Sequence, residues 1–332
     1  LASGEILRWD SSEWHNTSTL PTEFDSVAAV GTFIASVDSN GGVWRSNGTG
    51  SWQQLVALAD EISDPDPTEF VLLGGTGPND IKVQVRMGAT ADWRVFQWGG
   101  VLDGLSEVFG LPTGNNWTTG TVVGDFVVSA GPDNRIVRTT IGGTSTVDSI
   151  NNLGGDTRIQ AVSATGPDHI VAVAPGGRAI RFDGTAWSDM AFPTDQALSV
   201  VWTSGPSDVW TAAGANLFHY DGQAWREVEQ PTSQGLFVSL AGTGPDDVVL
   251  GTEAGAFHFD GTTLGVIRLP VTYVGGGHVA ATNQFLAFAD RDFAFTLERS
   301  VRWTCLASES NCADLVDDDC DGLVDSFDPD CP

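Results

Sequence analysis

Asp317, Asp319 and Asp321 alternate along the chain, Gly322 follows them, and two further carboxylates stand at Asp325 and Asp328. Alternation lets a tight turn aim successive carboxylates inward, and a calcium ion collects about six to eight oxygens in this way. Gly322 stands where the sharp bend needs a residue free of a side chain. The spacing therefore predicts a calcium loop. Asp317, Asp319 and Asp321 are its side-chain ligands, and Leu323 offers its carbonyl. Asp325 gives a direct or water-mediated oxygen, and Asp328 closes the shell.

The order is that of an EF-hand loop, with Asp328 in place of the longer glutamate usual at the end. Pro329 and Pro332 follow at once, so no flanking helix is expected and the loop stands alone. The competing reading is a solvated acidic tail. The placement of Gly322 and the aliphatic Val324 favours the metal.

Four cysteines surround the loop. Cys305, Cys312, Cys320 and Cys331 are the only ones in the chain. An even number clustered in a short acidic segment reads as two disulfides and an oxidising compartment, with the pairing open. A zinc site is the alternative, but no CxxC pair and no neighbouring histidine supports it.

The chain has 332 residues and is 41% hydrophobic, enough for a sizeable core. Its net charge is −28, and Lys82 is its one lysine. Nucleic acid and anionic membrane surfaces both need basic patches, so neither is an expected partner. No apolar run approaches the ~18 residues of a membrane helix. Leu1-Ala2-Ser3-Gly4 does not read as a signal peptide, so a mature or trimmed form is expected.

The elements that carry this tail repeat. Gly166-Pro167-Asp168, Gly205-Pro206-Ser207-Asp208 and Gly244-Pro245-Asp246-Asp247 recur every 39 residues. Phe182-Asp183-Gly184-Thr185-Ala186-Trp187 matches Tyr220-Asp221-Gly222-Gln223-Ala224-Trp225 and Phe259-Asp260-Gly261-Thr262-Thr263-Leu264. One unit divides into four β-rich runs, Leu198–Thr203, Asp208–Ala212, Asn216–Tyr220 and Ala224–Val228, separated by turn residues. Four strands in about 40 residues is the arithmetic of a β-propeller blade.

Innermost strands are expected near Ser26, Glu69, Gly120, Arg158, Leu198, Leu236 and Val271, which favours seven blades. An eight-bladed ring is the alternative. Gly4–Trp14 supplies only the outer two strands of a unit and is expected to close the ring on the last blade. Phe293–Trp303 competes for that place. The expected organisation is an all-β propeller over residues 1–303 and a Cys/Asp-rich tail over 304–332.

The Trp after each Asp-Gly turn begins an outermost strand. Trp187, Trp225 and Trp303 can pack between blades or act as sugar-stacking platforms, and packing is favoured because Leu264 takes the same place. His219 and His258 occupy one repeat position and are read as structural. His278 follows Gly275-Gly276-Gly277 on an innermost strand and is a candidate channel-facing ligand group. No GxSxG elbow, HExxH, P-loop or GxGxxG motif is present. Asp133, Asp290 and Asp292 are carboxylates expected at blade loops. Asn16, Asn47 and Asn116 begin N-x-[ST] triplets.

The units Gly-Pro-x-Asp-Val and Phe/Tyr-Asp-Gly-x-x-Trp resemble the Asp-Gly-Trp propeller repeats of secreted bacterial proteins. The segment Asn311-Cys312 through Asp317-Asp318-Asp319-Cys320-Asp321-Gly322 to Asp328-Pro329-Asp330-Cys331 resembles the MopE-type Cys/Asp-rich repeat, to which metal binding is ascribed. The resemblance implies a secreted or surface-attached protein with a metal in this segment. That repeat often has a cysteine where Ser326 stands, and Cys305 is a substitute partner for it, so the pairing stays open. Copper is associated with the family name, but an oxygen-rich ligand set without His or Met argues for calcium.

The expected function is non-catalytic binding or adhesion outside the cell or on its surface. The partner is a glycan, another protein or copies of the chain itself. The alternatives are a structural subunit of a surface layer or filament, and an enzyme acting on extracellular polysaccharide.

Overall fold

The computed structural model describes residues 5–9, 14–19, 24–46, 52–62, 67–88, 92–113, 116–131, 134–150, 158–229, 235–253, 255–267, 278–282, 285–290 and 293–298. Over 5–9, 14–19, 24–25, 285, 289–290 and 293–298 it describes the backbone alone. The tail, with its four cysteines and the whole predicted calcium loop, lies outside the described residues, as does Trp303.

A hairpin of β1 (Glu5–Trp9) and β2 (Trp14–Thr19) precedes the repeats. Unit 1 comprises β3 (Phe24–Val30), β4 (Phe33–Asp38), β5 (Gly42–Ser46) and β6 (Trp52–Ala57), followed by the single-turn helix α1 (Leu58–Glu61). Unit 2 has β7 (Pro67–Gly77), β8 (Asp80–Met87), β9 (Trp93–Trp98) and β10 (Leu105–Gly110). Unit 3 has β11 (Thr119–Val123), β12 (Phe126–Ala130), β13 (Arg135–Thr140) and β14 (Thr146–Ser149). Unit 4 has β15 (Ala161–Gly166), β16 (His169–Ala174), β17 (Arg178–Phe182) and β18 (Trp187–Asp189). Unit 5 has β19 (Leu198–Gly205), β20 (Asp208–Ala213), β21 (Asn216–Tyr220) and β22 (Trp225–Val228). Unit 6 has β23 (Phe237–Gly244), β24 (Asp247–Thr252), β25 (Ala256–Phe259) and β26 (Leu264–Ile267). Unit 7 has β27 (His278–Ala281), β28 (Phe285–Asp290) and β29 (Phe293–Glu298).

Within each unit the strands pair antiparallel in chain order. A single parallel bridge, Val30 with Gly75, fuses units 1 and 2 into one eight-stranded sheet. The first strand of each unit lies against the first strand of the next, and β27 lies against β3. Among the described residues these first strands therefore form a closed ring. β1 runs alongside β29. The two segments expected to compete for the last unit are thus neighbours: Phe293–Glu298 is its third strand, and the N-terminal hairpin comes next.

Burial explains the strand composition. Strands β12, β16 and β20 are buried at every position. A sheet standing between two others has both faces covered, so its inner strands read as continuous apolar runs rather than alternating ones. The core is accordingly a set of layers, one per joint. Val171, Val173, Leu198, Val201 and Phe218 fill the joint of units 4 and 5. Trp210, Leu217, Phe237 and Leu250 fill the joint of units 5 and 6. Ile34, Ala280 and Ala287 meet where unit 7 returns to unit 1.

The expected runs of unit 5 agree with β19 to β22 to within two residues. Unit 4 starts later than Arg158, because backbone pairing begins with the Gln160 amide on Val173 and the strand with Ala161. The described part of β27 starts at His278 rather than Val271, and residues 271–277 are outside the described set.

Candidate functional site

The Gly-Pro-x-Asp turn joins the first strand to the second, and the Asp-Gly turn joins the third to the fourth. In a four-stranded meander both turns open at the same end, and here they touch. A Cβ on Gly222 would lie 2.7 Å from the Cβ of Ser207, and one on Gly261 would lie 2.8 Å from the Cβ of Asp246. Both glycines have positive φ, 90° and 95°. Only a residue without Cβ takes that backbone shape and that close approach together. Asp221 Oδ1 accepts the amides of Gln223 and Ala224 at 2.9 Å each, and Asp260 repeats the arrangement with Thr262 and Thr263. In unit 4 the same bonds, from Ala186 first and then Thr185, hold the Asp183 carboxyl down at about 2. The result is one face built of paired, pinned turns.

Just beneath this face lies a recurring carboxylate. Asp208 Oδ1 accepts from His219 Nε2 at 2.7 Å and from Trp210 Nε1 at 2.9 Å, and the Ser204 hydroxyl donates to Oδ2. Trp210 stacks on His219 at 4.4 Å between ring centroids. Asp247 repeats this with His258 at 2.8 Å and Thr243. Asp80 repeats it with Gln97 at 3.0 Å and Thr76 at 2.5 Å. Burial pushes the Asp208 carboxyl up, but the bonds from His219, Ser204 and Trp210 outweigh it and leave it below its ordinary value. These hydrogen bonds favour the ionised form of the carboxylate. In unit 4 His169 replaces the aspartate. Its Nε2 meets Thr203 Oγ1 of unit 5 at 3.0 Å, and burial lowers its pKa.

Lys82 belongs to the same layer. Its side chain is fully buried, its Nζ pairs with Asp80, and it donates to the carbonyl of Gly124 in unit 3 at 3.1 Å. Gln84 donates to the Trp117 carbonyl and accepts from Ser129 Oγ at 2.6 Å across the same joint. Asp80 is pushed up by burial but held below its usual value by Lys82 and Thr76.

The sequence-predicted aromatics stand at joints. Trp187 Nε1 donates to Asp148 Oδ2 of unit 3 at 3.0 Å, and its ring lies 5.3 Å from Phe182. Trp225 Nε1 donates to the Met190 carbonyl of unit 4 at 3.0 Å, and its ring packs against Phe192 and Tyr220. Both are half-buried. His278 opens β27 opposite Ala289, half-buried, and burial lowers its pKa. The structure brings none of these three together. Asp290 ends β28 paired with Phe293, while Asp133 and Asp292 are outside the described residues. Among the described residues no group of three His, Cys, Asp or Glu is arranged to hold a metal.

One feature of this face was not singled out from the sequence. Val101 and Leu102, at the tip of the β9–β10 turn, are 91% and 99% exposed. Two consecutive aliphatics in a turn between strands were the available signal.

No protein-family model matches the chain, and no curated protein sequence matches it. Solved structures do. Virginiamycin B lyase from Staphylococcus aureus, with quinupristin, superposes with a TM-score of 0.65 at 11% identity, over 84% of this chain and 96% of that one. YCF48 from Cyanidioschyzon merolae gives 0.59 at 15%, over 82% and 95%. The WD40 propeller domain of Doa1 gives 0.62 at 10%, over 83% and 93%. At these identities the likeness defines the fold, and the fold is a β-propeller. No helix among the described residues is long and apolar enough to cross a membrane.

Proposed function

We propose that this chain is a non-catalytic, extracellular binding propeller of seven blades, with a structural calcium loop in the tail at residues 304–332. The observation that carries the binding reading is the face of paired turns. Its turns are fixed to one another, while the chemistry-bearing side chains below it, Asp80, Lys82, Asp208 and Asp247, are spent on bracing. A rigid rim with variable tips is suited to recognition and poorly suited to proton transfer. YCF48 bound to a D1 peptide, a structure of the same fold, superposes with a TM-score of 0.62 and supports a protein partner. An extracellular domain from B. thetaiotaomicron, at 0.60, supports the compartment.

Calcium in the tail rests on Asp317, Asp319, Asp321, Leu323, Asp325 and Asp328, with the cysteines as staples. Elemental mass spectrometry of the purified protein tests it. One calcium per chain is expected, and a chelator should render residues 304–332 cleavable by protease. No metal, or copper in its place, overturns the calcium assignment. Failure of the propeller to bind on both a glycan array and a displayed random-peptide library overturns the binding reading.

A further inference from the structure

Val101 and Leu102 stand out against the repeat they interrupt. The sister hairpin pairs Phe182 with Trp187 across a short turn, whose tip residues Thr185 and Ala186 hydrogen-bond back to Asp183. In unit 2, Trp98 pairs with Leu105 instead, and the turn is longer by two residues. The other tips in this frame carry Gln223-Ala224 and Thr262-Thr263. Here the tip carries two aliphatic side chains held almost wholly in water. A fully exposed Val or Leu forgoes about 1.5–3 kcal/mol of burial.

The longer turn is nevertheless built. The Gly99 amide donates to the Gly104 carbonyl at 2.9 Å, and the Gly104 amide to the Gly100 carbonyl at 2.8 Å. Gly100 has φ +93°, and a Cβ there would lie 2.7 Å from Asn79 of the first turn. The tip is thus a fixed projection seated on its own blade.

Its surroundings select a partner. Asp103 is exposed beside the tip, and Asp125, 70% exposed, lies 3.7 Å from Lys82 Nζ at the joint with unit 3. The one lysine is buried and already paired. The chain as a whole carries −28. A second copy would bring the same charge, and so would an anionic lipid surface. The described tryptophans Trp187 and Trp225 give their N–H groups to neighbouring units, and the tip is aliphatic rather than aromatic, which disfavours sugar stacking.

We propose that the Val101–Leu102 tip is an anchor for a polypeptide partner with an apolar pocket rimmed by Arg or Lys. The inference rests on the binding reading above and narrows it to a protein ligand on the face of unit 2. An apolar anchor seated in a pocket, with a polar and charged rim around it, is the layout of a protein–protein interface.

A displayed library of random peptides, panned against the folded full chain, tests it. Enriched peptides are expected to combine apolar residues with Arg or Lys. Their affinity should fall at least about tenfold in V101S/L102S, and it should weaken with added salt, which screens exposed charge within about 10 Å at 0.1 M. The tip touches no core, so V101S/L102S should keep the wild-type unfolding midpoint, which separates lost binding from lost fold. Peptides that bind V101S/L102S as well as wild type overturn the anchor while leaving a binding propeller. Glycan binding without peptide binding does the same. A dimer in sedimentation that V101S/L102S dissolves overturns it in favour of a second copy.

Discussion

The carboxylate of Asp148, on the outer strand of unit 3, accepts the indole N–H of Trp187 from unit 4 at 3.0 Å. The same carboxylate takes both Arg138 Nε, at 2.5 Å, and Nη2, at 3.2 Å, and the Arg138 guanidinium lies 3.9 Å from the Phe182 ring centroid. The tryptophan that follows an Asp-Gly turn is therefore a fastener between units. Trp187→Phe keeps an aromatic ring and removes the donor. It should lower stability by about 1.5–3 kcal/mol, the value of a hydrogen bond to a charged group. Urea denaturation checks it, and an unchanged midpoint would show that the bond contributes nothing.

Lys82 offers a direct test of the joint between units 2 and 3. Its Nζ is enclosed between Asp80 and the Gly124 carbonyl. Acetic anhydride should leave Lys82 unmodified in the folded protein and modify it fully in urea, read by mass spectrometry of the Lys82 peptide. Lys82→Met should destabilise by several kcal/mol, because Asp80 then loses its partner in a partly buried site. Rapid acetylation without denaturant would mean the joint opens readily.

Acid should weaken the ring in two stages. His169 and His278 are held below the ordinary 6.5 by burial. The unfolded chain then binds more protons, and their contribution is complete above 6.5 and lost as pH falls below it. Asp80 and Asp208 are held below the ordinary 3.8, so their contribution is complete above 3.8 and lost as pH falls through their lower folded values. His169→Gln should reduce the first loss and Asp208→Asn the second. Denaturation midpoints across pH check both, and a flat profile in the wild type would refute them.

Gly222→Ala should be costly and Gly104→Ala mild. Both have positive φ, +90° and +64°. A Cβ at Gly222 meets Ser207 at 2.7 Å, whereas at Gly104 nothing lies within 4 Å. Backbone strain alone costs about 1–2 kcal/mol, and the clash adds to it. Equal thermal shifts would contradict the turn-on-turn contact.

The repeat was legible because the Asp-Gly and Gly-Pro-x-Asp turns are local chemistry: each fixes its own backbone within four residues. The unit around β19 to β22 could be bounded almost to the residue on that basis. The partners of those residues were not legible. His219 was recognisable as a repeated position, but its bond to Asp208 crosses from the third strand to the second, and nothing in linear spacing names the acceptor. Lys82 was visible as the one lysine, yet its burial follows from Asp80 beside it and Gly124 beyond it, which only the assembled joint brings together. Val101 and Leu102 went unnoticed because apolar residues in a β-rich chain ordinarily point inward.

The joints are not copies of one another. Units 3 and 4 meet through Arg138, Asp148 and Trp187, units 2 and 3 through Lys82, Gln84 and Ser129, and units 4 and 5 through His169 and Thr203. The three sets differ in residue type and charge. A blade moved out of turn would keep Lys82–Asp80 and Arg138–Asp148, which lie within single units, but would lose the bonds to Gly124, Asp148 and Thr203 that cross to the neighbour. Sequence repetition invites such exchange, and polar bonds that differ from seam to seam disfavour it.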